Sequence, residues 1–445
     1  MSDPAQETPR PNMSVVDGVA MMVGIVLGVG IFKTPPLVAA NVASEAAFIG
    51  AWLLGGMVTL VGALCYAELA AGYPHAGGEY HFLSRAFGRP LAVLFGWARG
   101  TVIQTGAIAA IAFVFGDYAG QIVSLGPHGT AIYAALAIVT LTAVNLVGAP
   151  MGRNVQFVLA VLTVMAMGVV IAAPFFIAQD HPGAALTGDP SGAAFGMAMI
   201  MVLITYGGWN EAAYLSAELH DVRRNMVRVL VSGTAVIVLV YGAVNYAFLA
   251  VFGLEGLRRS DAIGADLLRL VAGEAGSLIL SVIVVAAALS TLNGTIFTGA
   301  RIYHAMGQDL QVFARIGGWS ARGQSPAGGV LVQGLIALAL VGLGSMTRNG
   351  FQAMVDYTAP VFWSFLFLVG LSLFVLRWRE PNRNLPFRVI FYPVTPILFC
   401  ATCLYMIYAS LTYTGIGALF GLAVLLAGTP LLFLAGSRQS AAPAE

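Results

Sequence analysis

Charge is what this sequence has least of. Only 9% of its 445 residues are Asp, Glu, Lys or Arg, while 59% are hydrophobic and the mean hydropathy is +0.86. Soluble domains carry roughly 25% charged residues, so the shortage excludes a water-facing globule. A net charge of +1 gives no reason to expect nucleic acid or an acidic polymer as partner. Cysteine is scarce too. Cys65, Cys400 and Cys403 lie in apolar runs with no histidine or acid beside them, so they read as small buried hydrophobes and not as metal ligands. Lysine is nearly missing: Lys33 is the single lysine among 21 basic residues. The six histidines (His75, His81, His128, His181, His220 and His304) are scattered without zinc-type spacing, and no nucleophile–base set is clustered. No phosphate-binding glycine loop occurs, which argues against an ATP-driven pump. No repeated filter loop or charged ring suggests a channel. An enzyme, a resident cofactor and a metal are not expected.

Long apolar runs are what the sequence does have. A spanning helix needs about 20 mostly apolar residues. Twelve candidates follow one another at 15–42, 46–72, 91–118, 130–149, 155–178, 194–218, 229–252, 265–300, 328–346, 352–376, 390–410 and 413–434. The eighth is too long for one perpendicular crossing, so it tilts or includes an external turn. The sequence therefore predicts an all-α integral membrane protein, with one transmembrane domain over 13–436 and short cytoplasmic tails at 1–12 and 437–445. The polar, proline-rich start has no charged region leading into a cleavable apolar stretch, so the first run is a retained span and not a signal peptide. With the N-terminus inside, 16 basic residues fall on the cytoplasmic side and 5 outside, which predicts cytoplasmic N- and C-termini. Asp180 and Asp189 fall in the predicted external loop after the fifth span.

Two spans contain lesions. The first reads Gly24-Ile-Val-Leu-Gly28-Val-Gly30-Ile-Phe-Lys-Thr-Pro35-Pro36. Glycines lower helix stability by roughly 1 kcal/mol each, and the two prolines are expected to stop the second half-helix. The sixth carries Thr205-Tyr206-Gly207-Gly208-Trp209-Asn210 in the middle of an apolar run. Unwound backbone at mid-membrane is tolerable only where it faces protein or a polar cavity. Breaks at corresponding positions of two halves point to a midplane transport site. A half-helix starting after Gly30 offers amides to a carboxylate, and freed carbonyls near Thr205–Gly207 suit an ammonium. The pair describes a detector for zwitterions, that is, amino acids.

At these residues the sequence resembles the amino acid–polyamine–organocation (APC) transporter superfamily, to which Gly28-Val-Gly30-Ile-Phe is similar. Tyr206-Gly-Gly-Trp-Asn210, Ser216-Ala-Glu218-Leu, Arg224-Asn225, Leu292-Asn293-Gly294-Thr-Ile-Phe297-Thr298-Gly-Ala-Arg301, Gly77-Gly78-Glu79-Tyr80 and Tyr241-Gly-Ala-Val-Asn245 resemble its L-type amino-acid transporter branch. The resemblance runs in order from about residue 13 to 376. It implies a LeuT-like fold of two five-helix inverted repeats (13–178 and 194–376) plus two extra helices (390–434), with alternating access around a central site. It implies that Gly28, Val29, Gly30 and Ile31 surround the substrate carboxylate, and that Ile204, Thr205, Tyr206, Gly207 and Gly208 surround its amine. Trp209 is implied as part of a gate, with Asn210, Tyr241 and Asn293 linking the site to moving helices.

There are departures from the family pattern. Val29 stands where a serine is usual, and Thr163, counted from Val155-Gln156, stands where a lysine is common, so the family's coupling does not carry over by motif. Lys33, near the outer half of the first span, is not read as its substitute. Segment 116–129 has no cysteine, which excludes a disulfide-linked heavy subunit there. A free-standing prokaryotic permease of the cytoplasmic (inner) membrane is expected.

Charges inside spans are functional candidates by default. Glu211 either titrates during transport or favours a cationic substrate, or else it pairs with Arg99 or another buried base. Glu68, Glu79, Glu218 and Asp221, the last two beside Arg223 and Arg224, are expected as ion pairs closing an inner gate. Ser290 and Thr291 are candidates for a small cation site with first-span carbonyls, and Gln104 for a cavity residue. The function expected is secondary transport of L-amino acids, neutral ones foremost, as permease or exchanger with a proton or sodium as possible coupling ion. The alternative is a cationic amino acid or polyamine antiporter.

Overall fold

The computed structural model describes residues 13–177, 192–260, 263–320, 325–347, 349–413 and 416–432. The predicted tails, Asp180, Asp189, Arg322 and Arg348 lie outside them. In the described residues the chain is helical, with two isolated bridges and no strand.

Helix α1 (Val15–Val26) opens with a reciprocal cap, in which the Asp17 amide donates to Ser14 Oγ at 3.2 Å and the Ser14 amide to Asp17 Oδ2 at 2.9 Å. This satisfies donors that a helix start otherwise leaves bare. After a break, α2 (Gly30–Ala40) departs at 47°. α2 runs through Pro35 and Pro36, which were expected to end it. Phe32 O, the acceptor Pro36 cannot serve, takes a bond from Tyr118 Oη at 3.2 Å, and Thr34 Oγ1 donates to Gly30 O at 2.8 Å.

The bundle continues with α3 (Glu45–Gly72), capped by Ser44, and the short α4 (Glu79–Phe87), which the span count did not anticipate. α5 (Arg89–Ala98) passes through a π-helical turn, Arg99–Ile103, into α6 (Gln104–Ile122). α7 (Gly129–Val147), α8 (Ala149–Ala172) and α9 (Gly192–Thr205) follow. Beyond the second break and a 3-10 turn (Trp209–Leu215) come α10 (Val222–Arg259), kinked at Gly253, and α11 (Ile263–Asp309), interrupted at Ala272–Gly273. That interruption falls within the overlong eighth run, for which a tilt or an external turn was expected. α12 (Ala327–Gly344), α13 (Gly350–Arg379), α14 (Val394–Tyr413) and α15 (Ile416–Ala427) complete the chain.

Among the described residues nine helices are long and apolar enough to cross a bilayer, ten if α1 and α2 count as one broken span. The sequence predicts twelve. The sixth and last predicted spans fall short because α9 holds 14 residues before its break and α15 only 12. Large apolar side chains such as Leu136, Phe175, Leu239, Ile279 and Leu404 lie exposed on the circumference, as they would against lipid. α3 packs along α10, α6 along α7 and α11, and α8 along α11, while α13 carries α14 and α15. The two breaks meet inside this frame.

Candidate functional site

At the first break α1 ends at Val26, and the Gly28 amide folds back onto the Val26 carbonyl at 2.6 Å. The residue at the N-cap of α2 is Val29, and no side chain caps that helix. The first amides of a helix have no intrahelical acceptor, so a valine here leaves those of Gly30 and Ile31 without a side-chain acceptor, while the Phe32 amide donates to Val29 O at 3.0 Å. At the second break α9 ends at Thr205, and Gly208 adopts a left-handed φ of +103°. A Cβ at Gly208 would stand 2.9 Å from Ile25 Cγ2, so glycine serves both the turn and the close approach of the two breaks. A Cβ on Gly28 would lie 2.1 Å from Thr291 Oγ1.

Side chains stitch the breaks together. The Thr34 and Thr205 hydroxyls meet at 2.6 Å. Tyr241, from α10, directs its hydroxyl at the Val26 carbonyl, with Thr205 O also 3.2 Å away. One phenol thus sits on a freed carbonyl from each broken span.

Between the breaks lies a cavity of about 200 Å³. Of the residues expected around substrate, Gly28, Val29, Gly30, Ile204, Thr205, Gly207 and Gly208 border it. Ile31 and Tyr206 do not. Ile31 is fully buried in packing, and Tyr206 turns its hydroxyl to Trp52 O at 3.2 Å. Of the expected gate and coupling residues, Gln104, Asn210, Glu211 and Thr291 border the cavity. Trp209 does not border it: the ring packs edge-on to Tyr66 and Phe399, with centroids 4.8 and 6.2 Å away. Thr163 also lies apart, its hydroxyl donating to Leu159 O at 2.9 Å. The aromatic boundary comes instead from α13, through Phe351, Phe362 and Trp363. Nothing in the local α13 sequence distinguishes these rings from packing residues.

Asn293 and Ser290 form a polar relay behind the cavity. Asn145 Nδ2 donates to Asn293 Oδ1 at 2.8 Å, and Asn293 Nδ2 to Gln156 Oε1 at 3.2 Å. Gln156 Nε2 reaches Ser290 Oγ at 3.2 Å, and Ser290 donates to Gly24 O at 3.1 Å. The Ser290 hydroxyl proton is therefore spent on the first-span carbonyl with which a cation site was expected. Of that pair only Thr291 reaches the cavity. Gln104 Nε2 donates to Thr295 O at 2.7 Å, which ties α6 to α11 at the cavity wall.

Below the second break lies a buried charge cluster. Arg99 bonds Glu211 Oε1 at 2.5 Å and Glu79 Oε2 at 3.0 Å. Thr298 donates to the other Glu211 oxygen at 2.5 Å. Glu79 also accepts from Tyr66 (2.5 Å), Tyr214 (2.8 Å) and Asn210 (3.0 Å). Glu211 therefore has the structural partner that was one of its two readings. The π turn widens the helix where Arg99 enters it. Such turns recur at functional sites.

The end of the bundle bearing Met13 carries further pairs between spans. Arg377 grips Glu68 at 2.6 and 2.5 Å, and Arg301 grips Glu218 at 2.9 and 2.5 Å. Glu218 thus pairs across to α11 and not with its neighbours Arg223 and Arg224. Asp221 stands at the N-cap of α10 without a side-chain cap bond. Met13 exchanges backbone hydrogen bonds of 2.9 Å with Glu218 O and the His220 amide, joining the chain before α1 to the chain after the second break. Close by, in the 73–87 stretch, His75 and His81 stack at 4.4 Å. Burial and the neighbouring ring hold His81 down at about 4, and burial lowers His75 as well. All three cysteines are buried and free, and no group of metal-ligating side chains occurs among the described residues.

A profile of the amino acid permease family matches residues 13–428. The chain is similar to mouse (Mus musculus) b(0,+)-type amino acid transporter 1, 28% identical over 400 residues, covering 87% of this chain and 81% of that protein. It is also similar to the human (Homo sapiens) b(0,+)-type transporter 1, 27% identical over 422 residues, covering 92% and 84%. Human large neutral amino acids transporter small subunit 2 is 26% identical over 444 residues, covering 96% and 80%. Family and relatives are transporters and not enzymes. With its multiple apolar helices and its cavity between two broken ones, this multi-pass membrane chain belongs to the amino acid permease family of the APC superfamily.

Proposed function

We propose that the chain is a secondary transporter of neutral L-amino acids, working by alternating access around the cavity between the breaks. The observation that carries this reading is convergence. The uncapped start of α2 and the freed backbone of the second break face one small chamber, offering amides to a carboxylate and carbonyls to an ammonium. The substrate side chain would lie among Ile25, Val29, Ile103, Ile204, Val355 and Phe362, an apolar wall. Among the described residues Glu211 is the one carboxylate on that wall, and both its oxygens are engaged by Arg99 and Thr298. A cationic side chain would have to displace them, so neutral substrates are favoured over cationic amino acids or polyamines. The large neutral amino acids in the name of one relative agree with this choice.

The same reading takes the chain as twelve spans in two inverted five-helix repeats plus two more, with the Met13 end cytoplasmic in a bacterial inner membrane. The arginine bias supports the orientation, and the five-span separation of the breaks supports the repeat. Coupling to a proton or to sodium, and exchange against internal substrate, are open to one assay. Purified protein in liposomes is offered labelled L-leucine, L-arginine and putrescine, with and without sodium, a proton gradient and internal amino acid. Leucine uptake well above that of the other two is expected. Uptake of arginine or putrescine without leucine would overturn the neutral reading, and movement of none would overturn transport.

A further inference from the structure

The link between α13 and α14 carries side chains that an aqueous loop does not favour. Trp378, at the end of α13, and Phe391, in the link, are 81% and 80% exposed, and Ile390, Tyr392 and Val394 are exposed as well. Single exposed apolar residues are ordinary, but a group of this kind marks a contact surface. The stretch also carries charge of one sign. Arg377, Arg379, Arg383 and Arg388 fall within it, and from Pro381 to Ala444 the sequence has no acid.

These arginines divide into two sets. Arg377 is spent on Glu68, and Arg383 on Glu380 and on the Gly72 carbonyl at 2.9 Å. Arg379 and Arg388 are exposed and take part in no ion pair among the described residues. Arg379 follows Trp378, and Arg388 precedes the apolar run of the link. Aromatic rings with unpaired cations are the pattern of the membrane interface, where rings sit at headgroup level and cations meet anionic lipid.

The link is fastened to an ion pair of the Met13 end. The Val389 amide donates to Glu68 Oε2 at 2.6 Å, an oxygen that Arg377 also grips. The Arg377 guanidinium lies 3.9 Å from the centre of the Tyr392 ring, which in turn lies 5.7 Å from the Phe374 ring. Phe374, Arg377 and Trp378 are three and four positions apart on α13 and share a face. Helix end and link thus form one surface.

We propose that this surface binds an anionic phospholipid, with the headgroup phosphate on Arg379 and Arg388 and the upper acyl chains on Trp378, Ile390, Phe391 and Val394. Planar guanidinium forks match phosphate oxygens two at a time. A zwitterionic headgroup brings its own cation and gains less from two unpaired arginines. The bound lipid keeps Tyr392 over Arg377 and so supports the Arg377–Glu68 pair from outside.

The test places the full-length protein in bilayer discs of mixed phosphatidylglycerol and phosphatidylcholine, with bromine on the chains of one lipid or the other. Bromine quenches an indole that it touches, and the emission missing from Trp378→Phe isolates Trp378. At equal mole fraction, phosphatidylglycerol should be preferred at that indole by about fivefold for each arginine. Arg379→Gln combined with Arg388→Gln should abolish the preference and leave equal quenching by both lipids. The melting temperature should rise when phosphatidylglycerol replaces phosphatidylcholine, and the double variant should lose that rise. Equal quenching by the two lipids in the wild type would overturn the anionic site, and quenching by neither would place the patch in water. A preference abolished by inorganic phosphate would make this a site for a free anion and overturn the lipid. A rise in melting temperature retained by Tyr392→Leu would overturn the link to Arg377.

Discussion

The two ends of the bundle are closed by different means. At the Met13 end, ion pairs join separate spans with little water around them: Arg99 lies between Glu79 and Glu211, Arg301 holds Glu218, and Arg377 holds Glu68. A backbone exchange at Met13 adds to them. At the opposite end the pairs Arg258–Glu255 and Arg269–Asp266 are local to one helix, and Lys33–Asp117 spans 3.8 Å without a hydrogen bond. Buried pairs are costly to leave half-made, while exposed ones are nearly neutral. The structure is therefore locked at one end and only lightly latched at the other. Under the alternating access proposed above, a transport cycle exchanges these roles, so the locked end holds the interactions whose loss should be felt most.

The largest test of that contrast is Arg99→Met, which leaves two buried carboxylates facing each other. It should cost roughly 3–5 kcal/mol, seen as a large fall in the melting temperature of the solubilised protein and as lost uptake. A variant as stable as wild type would remove the locked end from the account. Next comes Gly28→Ala, between the ends, where the new methyl meets Thr291 Oγ1 at 2.1 Å. Leucine uptake should drop at least tenfold and recover in part when Thr291→Ala makes room. Failure of that rescue would mean the defect lies in the Gly28 backbone.

Acid should loosen the locked end more gently. His81 is held at about 4 against an ordinary 6.5, so the unfolded chain binds its proton first. Stability is then full above about pH 6.5 and declines as pH falls toward 4. Melting temperatures across that range should show the decline, and His81→Gln should flatten it. Smallest of all, Lys33→Gln should change stability by less than about 1 kcal/mol. A larger loss would show that the far end is locked as well.

Much of this was legible in the sequence. The spans follow from apolar runs, because a bilayer imposes one length on every crossing. The interruption of α11 follows from excess length, and the breaks from Gly28–Gly30 and Gly207–Gly208. Nine-residue α4 was not legible, since a short amphipathic helix differs little from a loop in an apolar chain. Pro35 and Pro36 misled, because the Phe32 carbonyl that Pro36 leaves bare is taken up by Tyr118, which is distant in sequence. Trp209 resembles a gate in its motif yet packs on Tyr66 and Phe399, since a 3-10 turn sets its direction. Glu211 left two readings open, and only a residue 112 positions away could favour one.

What the sequence determined by itself was where the backbone must cross the membrane and where it must come undone. Those properties depend on neighbours along the chain: apolar length, glycine clusters, missing caps. What only the tertiary structure decided was who faces whom. It brought Tyr241 onto two freed carbonyls, set Arg99 between two acids, turned α13 rings into a cavity wall and placed Lys33 across from Asp117. Those partnerships join residues far apart in sequence, and side-chain direction at a break follows from packing and not from local pattern.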